Sequence, residues 1–466
     1  MGLLNDLNSQ ADALKAAGRI DEAIAAFRAI VDVAPTNPVV MHNLAAALAD
    51  FGRHKEAIDW AKRAIKAGIT APETWIVLAR SEVSAGNLEG GKAAFVEALR
   101  RRPADAVAQK DYAQTIWMTT GDRAASLDLL NDAITRNPRV LDLRLVRAQI
   151  IGQTGDPDGE YQEVLAALRL GGGQPQLHVA AANSALAAGA IVAALDHARI
   201  AEKALPRNAE AAQALARVLL AAGEILEGLR IASRLRAEFP LDQAFIALQA
   251  TAWRLLGDER YHGLYDYDRF VGAFPLARPS GWPSAEQYVD DLIEALDRHH
   301  QYKTHPLGLS VRHGGQLPSI DAIDDPALKA VGEAVKGPIE AYIAQIGAGP
   351  DPLRIRNRGG YRLFTIWSIR LSSSGYHVNH VHPQGWLSSA CHLRFPESRD
   401  ANDQSGWLKF GEPGVPTSPP LAAEHFVRPR KGVMVVFPSY MWHGTVPFEG
   451  NMTRLSIAAD CTPASI

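Results

Sequence analysis

The residues best able to do chemistry lie near the end of the chain. His380 and His382 stand two apart in Tyr376-His377-Val378-Asn379-His380-Val381-His382-Pro383, and His443 follows in Trp442-His443-Gly444-Thr445. Positions i and i+2 of an extended segment project to one side, so His380 and His382 can share a metal ion if this stretch is extended. His443 lies just past the apolar run Val435-Val436-Phe437-Pro438 and can return to the same mouth. Three protein ligands with open positions are what an oxygen-activating iron needs. A lone imidazole on a strand edge is more often structural; the spacing is what singles these out. His377 joins them if the strand carries a bulge, and Asp460 is a more remote candidate.

Arg454 follows His443 by eleven residues, and Ser456 comes two later on the same face of an expected strand. A guanidinium fork with a neighbouring hydroxyl suits a carboxylate, because its donors are permanently charged and bidentate. The bland alternative is a surface ion pair. Against it, Arg454 alternates with Leu455 and Ile457 in an apolar stretch, which turns it inward, where an unpaired charge is costly. Other chemistries find no support. The Gly-x-Ser-x-Gly elbow of a hydrolase does not occur, and Ser310–Gln316, read as a glycine-containing loop, lacks the spacing of a phosphate cradle.

These residues need elements to carry them. From about Leu353 the chain turns to short β-runs: Tyr361–Leu371, parts of Trp386–Phe395, Trp407–Phe410, Val433–Phe437 and Met452–Ala459, punctuated by Gly, Pro and Asn/Asp. Such spacing predicts a sandwich or barrel with helices on one side. Helices are expected over Ser284–His300 and Pro326–Ile346. Trp367, Tyr376, Trp386, Trp407 and Trp442 are candidate pocket walls, though each is more often plain core.

The first part of the chain is a repeat. Gly18, Gly52, Gly86, Gly121, Gly155, Gly189, Gly223 and Gly257 fall 34 residues apart, with one interval of 35, the period of stacked helix–turn–helix units. Pro35, Pro103, Pro138, Pro206 and Pro240 each lie 17 residues after a glycine, where they close the second helix. Small residues recur at close-packing positions: Ala45 and Ala182 on first helices, Ala23, Ala57 and Ala194 on second helices. Gly91 and Ser126 depart from that pattern, and Gly172 stands where the fifth repeat would have its proline. The array resembles the tetratricopeptide repeat family, in about eight units. Such an array either captures a peptide or protein in its groove or serves as a spacer or self-association surface.

At 466 residues the chain is long enough for two or three domains. A net charge of −3 offers no basic field for nucleic acid. Two cysteines, Cys391 and Cys461, make no disulfide framework and fit a reducing compartment. No apolar run reaches membrane-spanning length, and the N-terminus lacks the pattern of a signal peptide. The expectation is a cytoplasmic protein with no membrane and no nucleic-acid partner.

Taken together, His380-Val381-His382-Pro383, Ser388-Ser389, Gly406–Gly411, Phe437-Pro438-Ser439-Tyr440-Met441-Trp442-His443-Gly444-Thr445 and Arg454-Leu455-Ser456 resemble the Fe(II)/2-oxoglutarate-dependent oxygenases, over roughly residues 260–466. They are most similar to a group that carries tetratricopeptide repeats in front. The resemblance implies a multidomain chain: an all-α solenoid over 1–275, a helical support over 276–352, and an α+β domain with a double-stranded β-helix (jelly roll) core over 353–466. It further implies Fe(II) and 2-oxoglutarate as cofactors, with His380 and His443 as iron ligands. Arg454 would bind the far carboxylate of 2-oxoglutarate, and Ser456 would assist. The implied activity is hydroxylation of a protein or peptide, with the repeats recruiting substrate or partner. One departure stands out: the family's facial triad has Asp or Glu where this chain has His382, so three histidines would hold the metal. That exchange supports an alternative, a non-catalytic interaction protein with a degenerate metal-binding β-domain. A zinc-binding barrel of the cupin type also fits three histidines, but leaves Arg454 and Ser456 without a role.

Overall fold

The computed structural model describes residues 2–396, 400 and 402–464, with side chains from Asp6 onward. The chain packs as two compact units, Met1–Ile150 and Ile151–Ile466. No described helix is long and apolar enough to cross a membrane.

The first unit consists of antiparallel helix pairs, each helix 13–15 residues long. The repeat glycines end first helices because that turn needs a left-handed backbone; Gly52 (φ 76°) and Gly121 (φ 74°) are examples. Asn87, Asp105 and Asp122 start helices by accepting a backbone N–H from the first turn. Each repeat proline lies two residues beyond the end of a second helix, as Pro103 does after Leu88–Arg101, since the residue before proline is steered out of helical geometry. Ala23, Ala45 and Ala57 are fully buried between helices. Gly91 explains its own departure: a Cβ there would stand 2.4 Å from Val83 Cγ2, so the helices have closed beyond what alanine allows. Ser126 is buried with its hydroxyl donating to the Arg123 carbonyl.

The second unit continues the helix pairs to the helix Gln243–Leu255 and then builds a β-domain. Its strands are β1 (Gly272–Pro275), β2 (Val311–Leu317), β3 (Tyr361–His377), β4 (Leu387–Arg394), β5 (Leu408–Phe410), β6 (His425–Val427), β7 (Val433–Pro438), β8 (His443–Thr445) and β9 (Arg454–Pro463). One antiparallel sheet runs β1-β7-β4-β9-β3-β2 and a smaller one β6-β5-β8. Solenoid followed by an α+β jelly roll is therefore the architecture. Helices Ala285–His299 and Val331–Ile346 support the domain, and Ser284 caps the former by accepting the Gln287 N–H.

Ser310–Gln316 is not a loop, as its glycines suggested. It is mostly β2, paired with β3 through a bulge between Arg312 and Gly314. A Cβ on Gly314 would meet the Arg370 carbonyl oxygen at 2.4 Å, so here glycine marks close strand approach. One apolar core runs from repeat residues such as Leu215, Leu219 and Ile246 through Tyr261 and Tyr265 to Leu387, Phe437 and Ile457. The last repeats and the jelly roll thus share a single interior.

Candidate metal centre

On β9, alternate residues Arg454, Ser456, Ala458, Asp460 and Thr462 line a cavity of about 800 Å³ between the two sheets, as strand geometry requires of one face. β3 contributes Arg362, Trp367, Ile369 and His377, and β7 contributes Phe437. β8 brings in His443, Gly444 and Thr445.

β3 ends at His377, and the chain then leaves the sheet. His380 and His382 sit in this short irregular stretch rather than in a regular strand. It stays extended because it pairs with the segment around β8: His380 and His443 exchange N–H···O bonds of 2.9 and 3.1 Å, and the His382 N–H reaches the Ser439 carbonyl at 3.0 Å. Ring centroids of His380 and His443 lie 4.2 Å apart, those of His380 and His382 5.0 Å, and those of His382 and His443 5.2 Å. One ligand atom from each of the three falls within 4.8 Å of the others, the grouping of that kind found among the described residues.

The rings are also oriented. Nδ1 of His380 meets the Val378 carbonyl at 2.8 Å, and Nδ1 of His443 meets that of Met441 at 2.9 Å. Nδ1 of His382 meets a carboxylate oxygen of Asp460 at 2.5 Å. Each acceptor fixes the proton on Nδ1, which leaves Nε2 of all three rings with a free lone pair. Burial pushes His380 down to about 3 and holds His443 well below the usual imidazole range, so both are neutral at pH 7, as ligation demands. The three donors fit a metal ion. His377 does not join them: its ring stacks on His380 at 6.0 Å and its Nδ1 meets the Ser310 hydroxyl at 3.1 Å.

Arg454 is 2% exposed. Nη2 donates to His392 Nε2 at 2.5 Å, while Nε and Nη1 are buried with no partner. Burial lowers its pKa to about 10, and no carboxylate pairs with it among the described residues. Its surroundings hold neutral His392 well below the ordinary imidazole range, burial first and the Arg454 charge second. A buried, cavity-lining arginine with two orphaned donors is a candidate anion site, and the surface ion pair entertained from sequence is excluded. Ser456 lines the same cavity.

Of the aromatic candidates, Trp367 stacks on His382 at 6.0 Å and lines the cavity. Trp386 and Trp442 are core residues whose indole N–H groups bond the Leu353 carbonyl and the Thr251 hydroxyl. Tyr376 and Trp407 lie off the lining.

Comparison with known proteins speaks to this region directly. Residues 365–460 match the family model described as "Putative 2OG-Fe(II) oxygenase". All five predicted site residues fall inside that oxygenase match, and residues 8–72 match a tetratricopeptide repeat model. Repeats of this kind are generally protein-interaction modules. No curated protein matches the chain. Among solved structures it is similar to a tetratricopeptide repeat protein from Parabacteroides merdae (14% identity, TM-score 0.38, covering 54% of this chain and 99% of that one). It is also similar to the MamA protein (17% identity, TM-score 0.31, 38% and 96%) and to PilF of Pseudomonas aeruginosa (14% identity, TM-score 0.33, 44% and 92%).

Sequence reading missed several groups that hold the histidine segments in place. The backbone N–H of Gln243, at the start of a repeat helix, donates to the Pro383 carbonyl at 3.0 Å. Thr251 on that helix accepts from Trp442, and the Tyr265 hydroxyl both donates to the Tyr440 carbonyl and accepts from the Trp442 N–H. No local signal links residues so distant in the chain.

Proposed function

We propose that this protein is an Fe(II)- and 2-oxoglutarate-dependent hydroxylase acting on a protein or peptide, with the repeat array recruiting substrate or partner. The observation that carries this reading is Arg454: a buried guanidinium with two unpaired donors, on a residue that lines the cavity where three imidazoles converge. A zinc or storage site alone would leave that charge without an anion.

His380, His382 and His443 would hold the iron through Nε2. Arg454 would take the far carboxylate of 2-oxoglutarate on Nε and Nη1, with Ser456 adding a hydroxyl. Iron and 2-oxoglutarate, when bound, would supply the chemistry by which dioxygen, the oxidant, puts one oxygen atom into a C–H bond and the other into succinate, with loss of carbon dioxide. Trp367, Ile369, Leu408 and Phe437 give the cavity apolar walls that exclude water. Asp460 answers the missing carboxylate of the triad. It stands one hydrogen bond behind His382, where it orients the ring and returns a negative charge to the site's surroundings.

Anaerobic addition of Fe(II) and 2-oxoglutarate to purified protein is expected to give a visible metal-to-ligand charge-transfer band, and air should then yield succinate. His443→Ala and Arg454→Ala should each abolish the band. A wild-type protein with neither band nor succinate would instead favour the non-catalytic reading that His382 motivates.

A further inference from the structure

The cavity carries more positive charge than this chemistry uses. Three arginines line it, Arg312, Arg362 and Arg454, against one carboxylate, Asp460. Asp460 is engaged by His382, and Arg454 is assigned to the co-substrate. Arg312 and Arg362 are left over.

Arg312 stands opposite Tyr376 in the β2–β3 pair. Its Nη1 donates to the Leu309 carbonyl at 2.8 Å and the Val311 carbonyl at 2.7 Å, both neutral acceptors. No carboxylate pairs with it among the described residues, although it is only half-exposed and burial lowers its pKa. Arg362 is exposed, stands opposite Thr462 at the other end of β3, and likewise has no described ion pair. The remaining polar lining includes Gln153, Gln316 and Gln384, which are neutral. Along the same wall Phe364 is 69% exposed, and Trp367 lies further in against His382.

A partly desolvated guanidinium without a counter-charge is costly until an anion meets it. A cleft lined by one sign of charge also concentrates ligands of the opposite sign. Because the two cations stand toward opposite ends of β3, one small acid cannot satisfy both, whereas an extended chain with spaced carboxylates can. We propose that the entrance selects an acidic peptide segment, its carboxylates paired with Arg312 and Arg362 and an apolar residue between them packed on Phe364 and Trp367. The proposal rests on the oxygenase reading of the cavity, since it names that site's substrate class.

The test uses the full chain and a fluorescein-labelled peptide of about a dozen residues, rich in Asp and Glu around a central apolar residue. A second peptide carries Asn and Gln instead. Anisotropy at low salt is expected to show roughly tenfold tighter binding of the acidic peptide, a preference that falls as salt rises. Arg362→Gln, at an exposed position that should not disturb folding, is expected to reduce the preference several-fold. Arg312→Gln/Arg362→Gln should remove it, and Arg312→Lys should keep part of it. Equal binding of the two peptides, or a preference that survives the double variant, overturns the proposal. Full competition by N-acetylaspartate amide would also overturn it, in favour of a small acid. The iron and 2-oxoglutarate band is read in the same samples. A lost preference with the band intact refutes the entrance alone, and a missing wild-type band with the preference intact refutes the oxygenase reading alone.

Discussion

Each of the three imidazoles is tethered by the same nitrogen, but only one of the tethers is charged. Backbone carbonyls hold His380 and His443, and Asp460 holds His382. Asp460→Asn keeps the shape and removes the charge, so metal affinity is expected to fall by roughly 10- to 100-fold, read by metal titration; unchanged affinity would make Asp460 a bystander. The same pairing governs repair of the triad. His382→Asp alone sets two carboxylates side by side in a half-buried place, where like charges resist joint ionisation. It should bind iron more weakly than wild type, while His382→Asp/Asp460→Asn should recover affinity. If the single variant binds iron as well as the double, the two side chains do not couple. Away from the site, burial raises Glu160 on the repeat helix Pro157–Leu170 to about 7. Between about pH 4.5 and 7 the unfolded chain loses this proton and the folded chain keeps it, so stability falls as pH rises through that window. Glu160→Gln should remove about 1–2 kcal/mol of that change across the window, allowing for solvent screening, in denaturant melts at the two pH values.

Elements carry these residues, and one of them comes from the repeats. The helix Gln243–Leu255 meets both histidine segments, through the Gln243 N–H on Pro383 and the Thr251 hydroxyl under Trp442. Thr251→Val strands a buried indole N–H and should cost about 1–3 kcal/mol. It should also weaken iron binding, because Trp442 adjoins His443; a variant with lowered stability and wild-type iron affinity would make the contact purely structural. Some of this was open to a reader of the sequence. The period of 34 placed Gly52 and Gly121 at left-handed turns, and the alternation around Arg454 placed its side chain inward, because both patterns are local. β2 was hidden, since Gly314 looks like loop punctuation until Arg370 is seen pressed against it. The pairings of Asp460 with His382 and of Gln243 with Pro383 were hidden as well, since they join residues whose spacing has no period.

At the scale of the molecule, the repeats are not uniform in what they do. Within Ile151–Ile466 the last repeats do not merely precede the jelly roll; Tyr261, Leu264 and Tyr265 are buried in the core that holds Leu387, Phe437 and Tyr440. Arg254 adds bonds to the carbonyls of Gly411 and Ala422 and an ion pair with Glu424, whose carboxylate also accepts from Tyr261 and Tyr267. Removing residues before Leu276 would strip these partners at once. Large apolar side chains such as Phe437 and Tyr440 would lose cover worth about 1.5–3 kcal/mol each, against a total of about 5–15 kcal/mol for a typical domain. A fragment of residues 276–466 is therefore expected to lack a cooperative melt and near-ultraviolet circular dichroism, while 151–466 keeps both. Should 276–466 melt cooperatively within a few degrees of the longer fragment, the jelly roll would be self-sufficient and the terminal repeats free to serve recruitment alone.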